Sequence, residues 1–280
     1  MKDLNNKVAA ITGAGSGIGQ ALAINLAEKG CHLALSDIDK KGLADTFTYL
    51  KPYKVKVTQQ ILDVSDKQAV YEWADQVVED HGQVNLIFNN AGVALSGTVD
   101  SLSLEDYEWV MNINFWGVVY GTKAFLPYLE TSGEGHIVNI SSVFGITSQP
   151  LMSGYNASKF AVRGFTESLR QDLEITNSNV STTCIHPGGI KTNIAKCGRM
   201  DSSVEKIIGT TKEKSLVEFE RMFLNTADRA AKTILKGVCK NERRVLIGLD
   251  AKVLDGMARV FPTGYQWLFT KAVKWRMHPS

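Results

Sequence analysis

Residues 12–19 read Thr12-Gly13-Ala14-Gly15-Ser16-Gly17-Ile18-Gly19. A short apolar run at 8–12, typical of a buried strand, leads into this stretch, and apolar positions at helical spacing follow it at 21–27. The glycines fit the pattern G-x-x-x-G-x-G through Gly13, Gly17 and Gly19, and they do not fit G-x-G-x-x-G. Glycine lets a backbone turn sharply and approach a ligand, while free N–H groups at a helix start attract a pyrophosphate. The stretch therefore predicts a dinucleotide site; a glycine-rich turn without a ligand is the alternative.

The rest of the chain alternates short apolar runs with longer helical patterns. Strands are predicted at residues 8–12, 32–36, 55–61, 84–88, 137–140, 180–185 and 243–247, and the clearest helices at 21–27, 65–78, 104–129 and 155–175. This order predicts an α/β fold: a single-domain Rossmann-type doubly wound parallel sheet of about seven strands with helices on both faces. Residues 1–250 would form that dinucleotide-binding and catalytic domain, with a substrate lid at about 194–218. Residues 251–280 would form a C-terminal aromatic and basic extension.

Composition excludes several classes of protein. The 280 residues carry a formal net charge of +2, which leaves no excess of Lys and Arg for a nucleic acid. The four cysteines lie far apart and no His/Cys group has zinc spacing, so neither a disulfide framework nor a metal is expected. Charged and polar residues among the first seven and the lack of a long apolar run predict neither a signal peptide nor a membrane span, and we expect a soluble, cytoplasmic protein. The histidines are interpreted as surface or satisfied positions: His32, His81, His136, His186 and His278.

An acidic residue ends the second predicted strand. Asp37 stands where a carboxylate would accept hydrogen bonds from the hydroxyls of an adenosine ribose. A phosphate on the 2′-oxygen would meet its like charge, and the neighbours Ser36 and Ile38 offer no cation to offset it. The sequence therefore favours NAD over NADP. The alternative is that Asp37 only starts the turn, and Asp39 is a candidate helix N-cap.

A phenol and an ammonium lie four residues apart in Tyr155-Asn-Ala-Ser-Lys159, on one face of the predicted helix. Ser142 comes just after the fifth predicted strand and so lies on the ligand side of the sheet. An enzyme that transfers a hydride must also move a proton to or from the substrate oxygen, and these groups suit that task. A surface Tyr–Lys pair and a serine that only caps a turn are the alternatives.

Together these motifs resemble the short-chain dehydrogenase/reductase family, in its compact single-domain type. The matching features, in the family's order, are the loop at 12–19, Asp63-Val64, Asn89-Asn-Ala-Gly92, Asn114 before Gly117, Ser142, Tyr155-x-x-x-Lys159 and Pro187-Gly188-x-x-x-Thr192. The resemblance implies that Tyr155 is the general acid/base and that Ser142 donates a hydrogen bond to the substrate oxygen. It also implies that Lys159 lowers the pKa of Tyr155 and holds the nicotinamide ribose, and that Asn114 keeps a water linking Lys159 to solvent.

Cofactor contacts are expected from the same motifs. Asp63 and Val64 should bracket the adenine, with Asp63 accepting a hydrogen bond from its amino group, and Ile190 and Thr192 should reach the carboxamide. The full predicted cofactor-binding set is Gly13, Gly15, Ser16, Gly17, Ile18, Gly19, Asp37, Ile38, Asp63, Val64, Asn90, Ala91, Gly92, Tyr155, Lys159, Pro187, Gly188, Ile190 and Thr192.

The predicted substrate pocket is apolar. Its candidate residues are Val93, Ala94, Leu95, Val143, Phe144, Ile146, Pro150, Leu151, Met152, Ile194 and Met200. Ser142, Phe144, Met152 and Tyr155 are expected to contact the substrate. Without an arginine clamp for an acid, the pocket favours a hydrophobic alcohol or ketone, and the predicted function is NAD-dependent hydride transfer to or from it.

Two other functions are considered. A nucleotide-sensing regulator without chemistry would be expected to lose Tyr155, Lys159 or Ser142, and all three are present. A sugar-nucleotide epimerase or dehydratase would need a larger subdomain than the residues after Thr192 can supply.

Partner contacts are predicted in two regions. The aromatic residues on the long helix are interpreted as core or subunit contacts: Tyr107, Trp109, Phe115 and Trp116. The resemblance implies a homodimer or homotetramer, because in the family this helix and the Tyr155 helix commonly form an interface. The tail could lie on a membrane surface through its aromatic and basic residues. Folding over the pocket or a partner subunit is favoured instead, because Pro262 and Gly264 interrupt it.

Overall fold

The computed structural model describes residues 1–192, 194, 197–209, 211 and 225–277. The strands in this part of the chain are β1 (Val8–Thr12), β2 (His32–Asp37), β3 (Val57–Ile61), β4 (Leu86–Asn89), β5 (Leu95–Ser96), β6 (Gly135–Ile140), β7 (Val180–Pro187), β8 (Arg199–Met200) and β9 (Arg244–Ile247). Seven of them form one parallel sheet in the order β3-β2-β1-β4-β6-β7-β9. The predicted seven-stranded doubly wound α/β fold is confirmed.

Helices connect these strands. Those in the described residues are α1 (Gly17–Ala27), α2 (Lys40–Leu50), α3 (Lys67–His81), α4 (Leu104–Met111), α5 (Gly117–Thr131), α6 (Ser153–Ile175), α7 (Ser202–Ile208), α8 (Ala227–Cys239), α9 (Leu249–Val260) and α10 (Gly264–Met277). None of the helices within the described residues has the length and apolar character that a membrane span requires.

The core lies in two layers, one on each face of the sheet. Successive side chains of a strand point to opposite faces, so β1 contributes to both layers. Ile11 packs with Leu22 of α1 on one face. Ala10 faces the other, where Trp73 of α3 meets Phe125 of α5 edge to face with 5.1 Å between ring centroids. Burial of each large side chain contributes about 1.5–3 kcal/mol, so the layers hold the sheet between the helices.

The strand order reverses beside β1, which has β2 on one side and β4 on the other. Both β1 and β4 end at the same edge of the parallel sheet, with Ile11 opposite Phe88 in the register. Such a switch point opens a crevice where ligands of these sheets bind. The loop at 12–19 and the Asn89-Asn-Ala-Gly92 turn therefore lie side by side.

Of two helix starts interpreted from the sequence, one differs in the structure and one agrees. The pattern at Ser65 predicts a capping box, but Asp66 is the N-cap of α3 and accepts the N–H of Ala69 at 3.1 Å. The Ser65 hydroxyl donates instead to Asp63 at 2.7 Å, so it is already engaged in the preceding turn. The interpretation of Asp39 as an N-cap is correct: it accepts the N–H of Lys41 at the start of α2.

The long helix predicted at 104–129 is continuous from 104 to 131 but contains one irregular turn. α4 and α5 are joined by a π-helical turn, Asn112–Trp116, which contains Asn114. A π turn inserts one extra residue into a helix, and such turns often occur at functional sites. The aromatic residues nearby pack on one another, since Trp116 stacks on Tyr120 and Phe115 meets Phe165 edge to face.

The predicted lid at 194–218 is described only in part, because residues 195, 196, 210 and 212–218 lie outside the described residues. Its described portion contains α7 and β8, and β8 pairs with β5 in a separate parallel ribbon. The C-terminal extension forms α9 and α10. Tyr265 of α10 is buried, and its hydroxyl accepts the backbone N–H of Ser148 at 3.2 Å. This contact places one face of the extension over the segment that follows Ser142.

Candidate active site

The glycine loop turns from β1 into α1 at the switch point. Gly13 has a φ of +65°, a conformation that side chains disfavour, and a Cβ there would lie 2.9 Å from the backbone of Ala91. A Cβ at Gly19 would clash with the carbonyl of Gly13. Ser16 is the N-cap of α1, and within the described residues its side chain caps no N–H of the first turn. The start of α1 therefore presents backbone donors to the crevice, as an anion site requires.

The turn after β4 fixes that loop. The Asn90 side chain donates to the carbonyls of Thr12 and Gly13 at 2.9 and 3.1 Å. The Thr12 hydroxyl in turn accepts the backbone N–H groups of Asn90 and Ala91, each at 3.0 Å. This part of the predicted cofactor set thus contributes to the shape of the loop itself.

Asp37 lies at the end of β2 beside the loop. One carboxylate oxygen accepts the N–H of Gly15 at 2.7 Å, and the other accepts the N–H of Asp39 at 2.9 Å. Ile38 is exposed next to it. The carboxylate therefore supports both the turn and the glycine loop, and it brings a negative charge to the loop's outer side.

Other predicted cofactor residues surround the same crevice. Val64 is buried against the start of α5, where a Cβ at Gly117 would meet it at 2.9 Å, while Asp63 remains exposed. After β7, Gly189 donates its N–H to Asp250 at 2.6 Å. A Cβ at Gly17 would lie 3.0 Å from the methyl group of Thr192, so the segment after Pro187 returns to the glycine loop.

Tyr155 and Lys159 are buried together on one face of α6. The Lys159 ammonium lies 5.8 Å from the centroid of the Tyr155 ring and donates to the carbonyl of Ile140 at 3.0 Å. Only 2% of Lys159 is exposed, and within the described residues it has no carboxylate partner. Burial lowers the pKa of Lys159 to about 8, partly opposed by Cys184. Gly92 faces the ammonium, since a Cβ there would lie 3.2 Å from Nζ.

Ser142 lies between β6 and the Tyr155 ring. Its hydroxyl accepts the N–H of Phe144 at 3.1 Å, so it does cap the 3₁₀ turn Val143–Gly145. Burial raises the pKa of Tyr155, and a hydrogen bond from Ser142 acts in the opposite direction. Phe144 meets the Tyr155 ring edge to face at 6.3 Å. The predicted catalytic serine and tyrosine are therefore in contact.

Asn114 is completely buried behind this group. Its side chain accepts the N–H of Val93 at 2.8 Å and donates to the Val93 carbonyl and the Ser158 hydroxyl, each at 3.0 Å. These bonds join the π turn to α6 and to the segment after Gly92. The Asn114 side chain thereby holds together the segments that surround Lys159.

Of the histidines interpreted as surface or satisfied positions, two in the described residues are buried, and each of these has one of its ring nitrogens hydrogen-bonded. His136 and His186 each leave one ring nitrogen without a partner among the described residues. His186 Nδ1 lies 2.9 Å from the carbonyl of Ser142, and because a carbonyl only accepts, Nδ1 carries the proton. Burial lowers the pKa of His186 to about 4. His278 lies outside the described residues. The sequence offers one signal for the contact between His186 and Ser142: His186 directly follows the predicted strand at 180–185 and comes directly before Pro187-Gly188.

The apolar pocket residues divide into two groups. Leu95, Val143 and Ile146 are buried, as are Ser142 and Tyr155, and none of these five lines the surface groove next to them. A surface groove of about 620 Å³ lies next to the segment after Ser142 and is lined by Gly97, Thr98, Val99, Ser148, Gln149, Pro150, Leu151, Ser153, Asn156, Ala157 and Phe160. Pro150 and Leu151 from the prediction belong to it, and Met152 pairs with Gly97 at its edge.

Known proteins resemble this chain over most of its length. The family model described as short chain dehydrogenase matches residues 7–202. SadH of Mycobacterium tuberculosis is 47% identical over 275 residues, covering 98% of this chain and 97% of SadH. The CLA biosynthesis dehydrogenase/reductase of Lactiplantibacillus plantarum is 35% identical over 69% of this chain and 68% of its own.

A solved structure gives the same result for the fold. The short chain dehydrogenase/reductase from Burkholderia phymatum, crystallised in complex with NAD, superposes with a TM-score of 0.82 at 33% identity, covering 88% of this chain and 90% of that one. The family match and the relatives support an oxidoreductase that acts on CH–OH or C=O groups. The chain belongs to the short-chain dehydrogenase/reductase family.

Proposed function

We propose that the protein is an NAD-dependent oxidoreductase that interconverts an apolar alcohol and its ketone or aldehyde, with Tyr155 as general acid/base. The observation that carries the proposal is the buried contact group of Tyr155, Lys159 and Ser142 at the carboxyl edge of the sheet. A regulator that only senses a nucleotide has no need to bury an ammonium beside a phenol. The buried pair therefore favours an enzyme over a nucleotide-sensing regulator.

The chain's own geometry suits a dinucleotide. The tight turn at Gly13 suits a pyrophosphate, as does the start of α1, where the Ser16 side chain caps no N–H, and Gly92 lies against the Lys159 ammonium. When bound, a nicotinamide supplies the hydride acceptor or donor. In this proposal Lys159 holds a ribose hydroxyl of the cofactor, and Ser142 donates to a substrate oxygen beside Tyr155; the burial of both side chains next to Tyr155 supports these roles.

Proton transfer near neutral pH requires a more acidic phenol. A free tyrosine has a pKa of about 10, so titration about 2–3 pH units lower requires about 3–4 kcal/mol. Burial acts in the wrong direction. The Lys159 ammonium lies 5.8 Å from the ring centroid, and a unit charge about 4–6 Å from the phenolate oxygen supplies about 3–4 kcal/mol at an effective dielectric of about 20. With the Ser142 hydrogen bond and the positive charge of an oxidised nicotinamide, the opposing burial can be overcome.

The proposed preference for NAD rests on Asp37. Its carboxylate is held beside the glycine loop by two backbone N–H groups, and a 2′-phosphate there would meet a fixed like charge. Neither Ser36 nor Ile38 supplies a cation. The relative from Burkholderia phymatum was crystallised with NAD, which agrees with this preference.

An apolar substrate is proposed from the walls around Tyr155. Phe144 packs on the Tyr155 ring, and the adjacent groove contains Pro150, Leu151 and Phe160. Pockets of this kind orient an apolar ligand with few polar anchors, here Ser142 and Tyr155.

A substrate panel tests the proposed function. Primary and secondary alcohols and the matching aldehydes and ketones, in a series of chain lengths, are incubated with NAD(H) and with NADP(H) while reduced nicotinamide absorbance is followed. We expect turnover with NAD(H) that rises with chain length. A preference for short, charged substrates, or for NADP(H), would contradict the proposed specificity. A protein that binds the nucleotide but turns over none of the substrates would favour the nucleotide-sensing regulator.

A further inference from the structure

The outward surface of α9 and α10, called here the C-terminal patch, concentrates exposed apolar side chains. Fifteen large apolar side chains are exposed in the described residues, and seven of these belong to the patch: Leu249, Val253, Val260, Phe261, Trp267, Leu268 and Trp275. Nearly half of the exposed large apolar side chains of the described residues thus fall within 249–275. Such a concentration points to an interaction surface, whereas apolar residues scattered singly over a surface do not.

α10 uses its two faces differently. Tyr265 and Phe269, four residues apart, point inward; their rings meet edge to face at 5.4 Å, and Tyr265 bonds to Ser148. Trp267 lies on the opposite face and Trp275 on the flank of the helix, and they are 60% and 72% exposed. Folding over the protein therefore occupies only one face of the helix. The other remains available to a partner.

The charge of the patch indicates which partner fits. No Asp or Glu follows Asp255, while residues 256–280 contain four basic ones: Arg259, Lys271, Lys274 and Arg276. The Lys271 ammonium lies 4.4 Å above the ring centroid of Trp267, on the outward face. Arg259 pairs with Asp255, whereas none of the salt bridges found among the described residues involves Lys271 or Lys274 of α10.

Tryptophan and lysine side by side suit the headgroup region of a membrane, where an indole has both apolar and polar surroundings. A second copy of the chain suits the patch less well, because a twofold interface would bring its lysines against themselves. We propose that the C-terminal patch docks on an anionic lipid surface, with Trp267 and Trp275 at headgroup depth and Lys271 and Lys274 against the phosphates.

Docking would bring the substrate side of the protein to the lipid. Through the Tyr265–Ser148 bond, α10 contacts the segment between Ser142 and Tyr155. An apolar substrate could then enter from the membrane surface; this consequence rests on the proposed function, whereas docking itself does not.

Vesicle sedimentation tests the proposal without any assay of activity. The full chain is mixed with vesicles of phosphatidylcholine, or of phosphatidylcholine with phosphatidylserine, at low and high salt. We expect binding to the anionic vesicles that weakens with salt. Because each lysine near such a surface contributes about fivefold to binding, the K271Q/K274Q variant should bind about 25-fold more weakly. Trp267→Ser with Trp275→Ser should lose at least as much.

Matched controls separate docking from general effects. Ile175→Ser removes an equally exposed apolar side chain, 77% accessible, at the far end of α6, and K51Q/K54Q removes two exposed charges elsewhere. Both should bind as the unchanged protein does. The proposal is overturned if the anionic vesicles do not bind the protein, if patch and control variants bind equally, or if the patch variants dissociate an oligomer without altering vesicle binding.

Discussion

The Asp37 carboxylate accepts the backbone N–H of Gly15 at 2.7 Å and so ties the end of β2 to the glycine loop. Its second oxygen holds the N–H of Asp39. Asp37 therefore does start the turn, as the alternative interpretation of the sequence proposed. This contact does not prevent the same carboxylate from acting at a bound nucleotide. One side chain orders the loop and also places a negative charge beside it.

Removing that charge should change the choice of cofactor. Asp37→Asn keeps an oxygen that can accept from Gly15 but no longer repels a 2′-phosphate. Each unit charge pair at about 4 Å is worth about 1–4 kcal/mol, so we expect the ratio of kcat/KM for NADP to that for NAD to rise about tenfold or more. Asp39→Asn removes the same charge two residues away and should leave the ratio nearly unchanged. Equal effects of the two substitutions would refute the assignment.

The buried His186 should make stability depend on acid. Its pKa is about 4 in the folded protein, because burial disfavours the charged ring, against about 6.5 when unfolded. Between these values the unfolded chain binds the extra proton, so the free energy of unfolding falls as the pH drops from about 6.5 to about 4. The loss is about 1.4 kcal/mol per pH unit at most.

Urea unfolding at several pH values measures this effect. His186→Asn retains an N–H donor for Ser142 but cannot titrate, and it should be less stable at pH 7 yet show a shallower fall with acid. His32→Asn changes a partly exposed histidine and serves as the control. Parallel stability curves for the unchanged protein and His186→Asn would show that the buried ring is not responsible.

Much of this arrangement can be predicted from local signals. Gly13 and Gly19 are required by the turn and the close approach they make, and the four-residue spacing of Tyr155 and Lys159 places both on one helix face whatever surrounds them. The alternating apolar runs are enough to predict the parallel sheet, because both of its faces must be covered.

The remaining features depend on contacts between distant parts of the chain. The π turn around Asn114 is stabilised by bonds to Val93 and Ser158, and His186 meets Ser142 only because β6 and β7 are neighbours. Without a cofactor, burial raises the pKa of Tyr155, and the spacing of residues along the sequence does not reveal how deeply a side chain is buried. Likewise, the inward face of α10 is defined by Tyr265 reaching Ser148.

That contact should order the segment after Ser142. In Tyr265→Phe the N–H of Ser148 loses its acceptor, at a cost of about 0.5–1.5 kcal/mol. We expect amide hydrogen exchange at residues 146–151 to accelerate about two- to tenfold. Tyr49→Phe, which alters an exposed hydroxyl, is the control. Unchanged exchange in Tyr265→Phe would mean that the C-terminal helix does not hold this segment.

Loss of the Tyr155 hydroxyl should greatly slow hydride transfer and leave the binding of NAD nearly unchanged. General acid/base catalysis contributes about 10²–10⁴-fold, so Tyr155→Phe should lose turnover by that factor while its Kd for NAD changes little. Tyr107→Phe removes a hydroxyl that bonds to Ser153 at the start of the same helix and should keep most of the turnover. Near-normal turnover in Tyr155→Phe would exclude it as the acid/base.

The acidity of the Tyr155 phenol is the central claim, and ultraviolet difference titration measures it directly. Spectra of the unchanged protein minus Tyr155→Phe, each saturated with NAD⁺, isolate the ionisation of this one phenol. The account predicts a pKa about 2–3 units below the ordinary value of about 10, and a value about two units higher in Lys159→Gln. A phenol that ionises at pH 10 or above with NAD⁺ bound, or that is unaffected by Lys159→Gln, would contradict it.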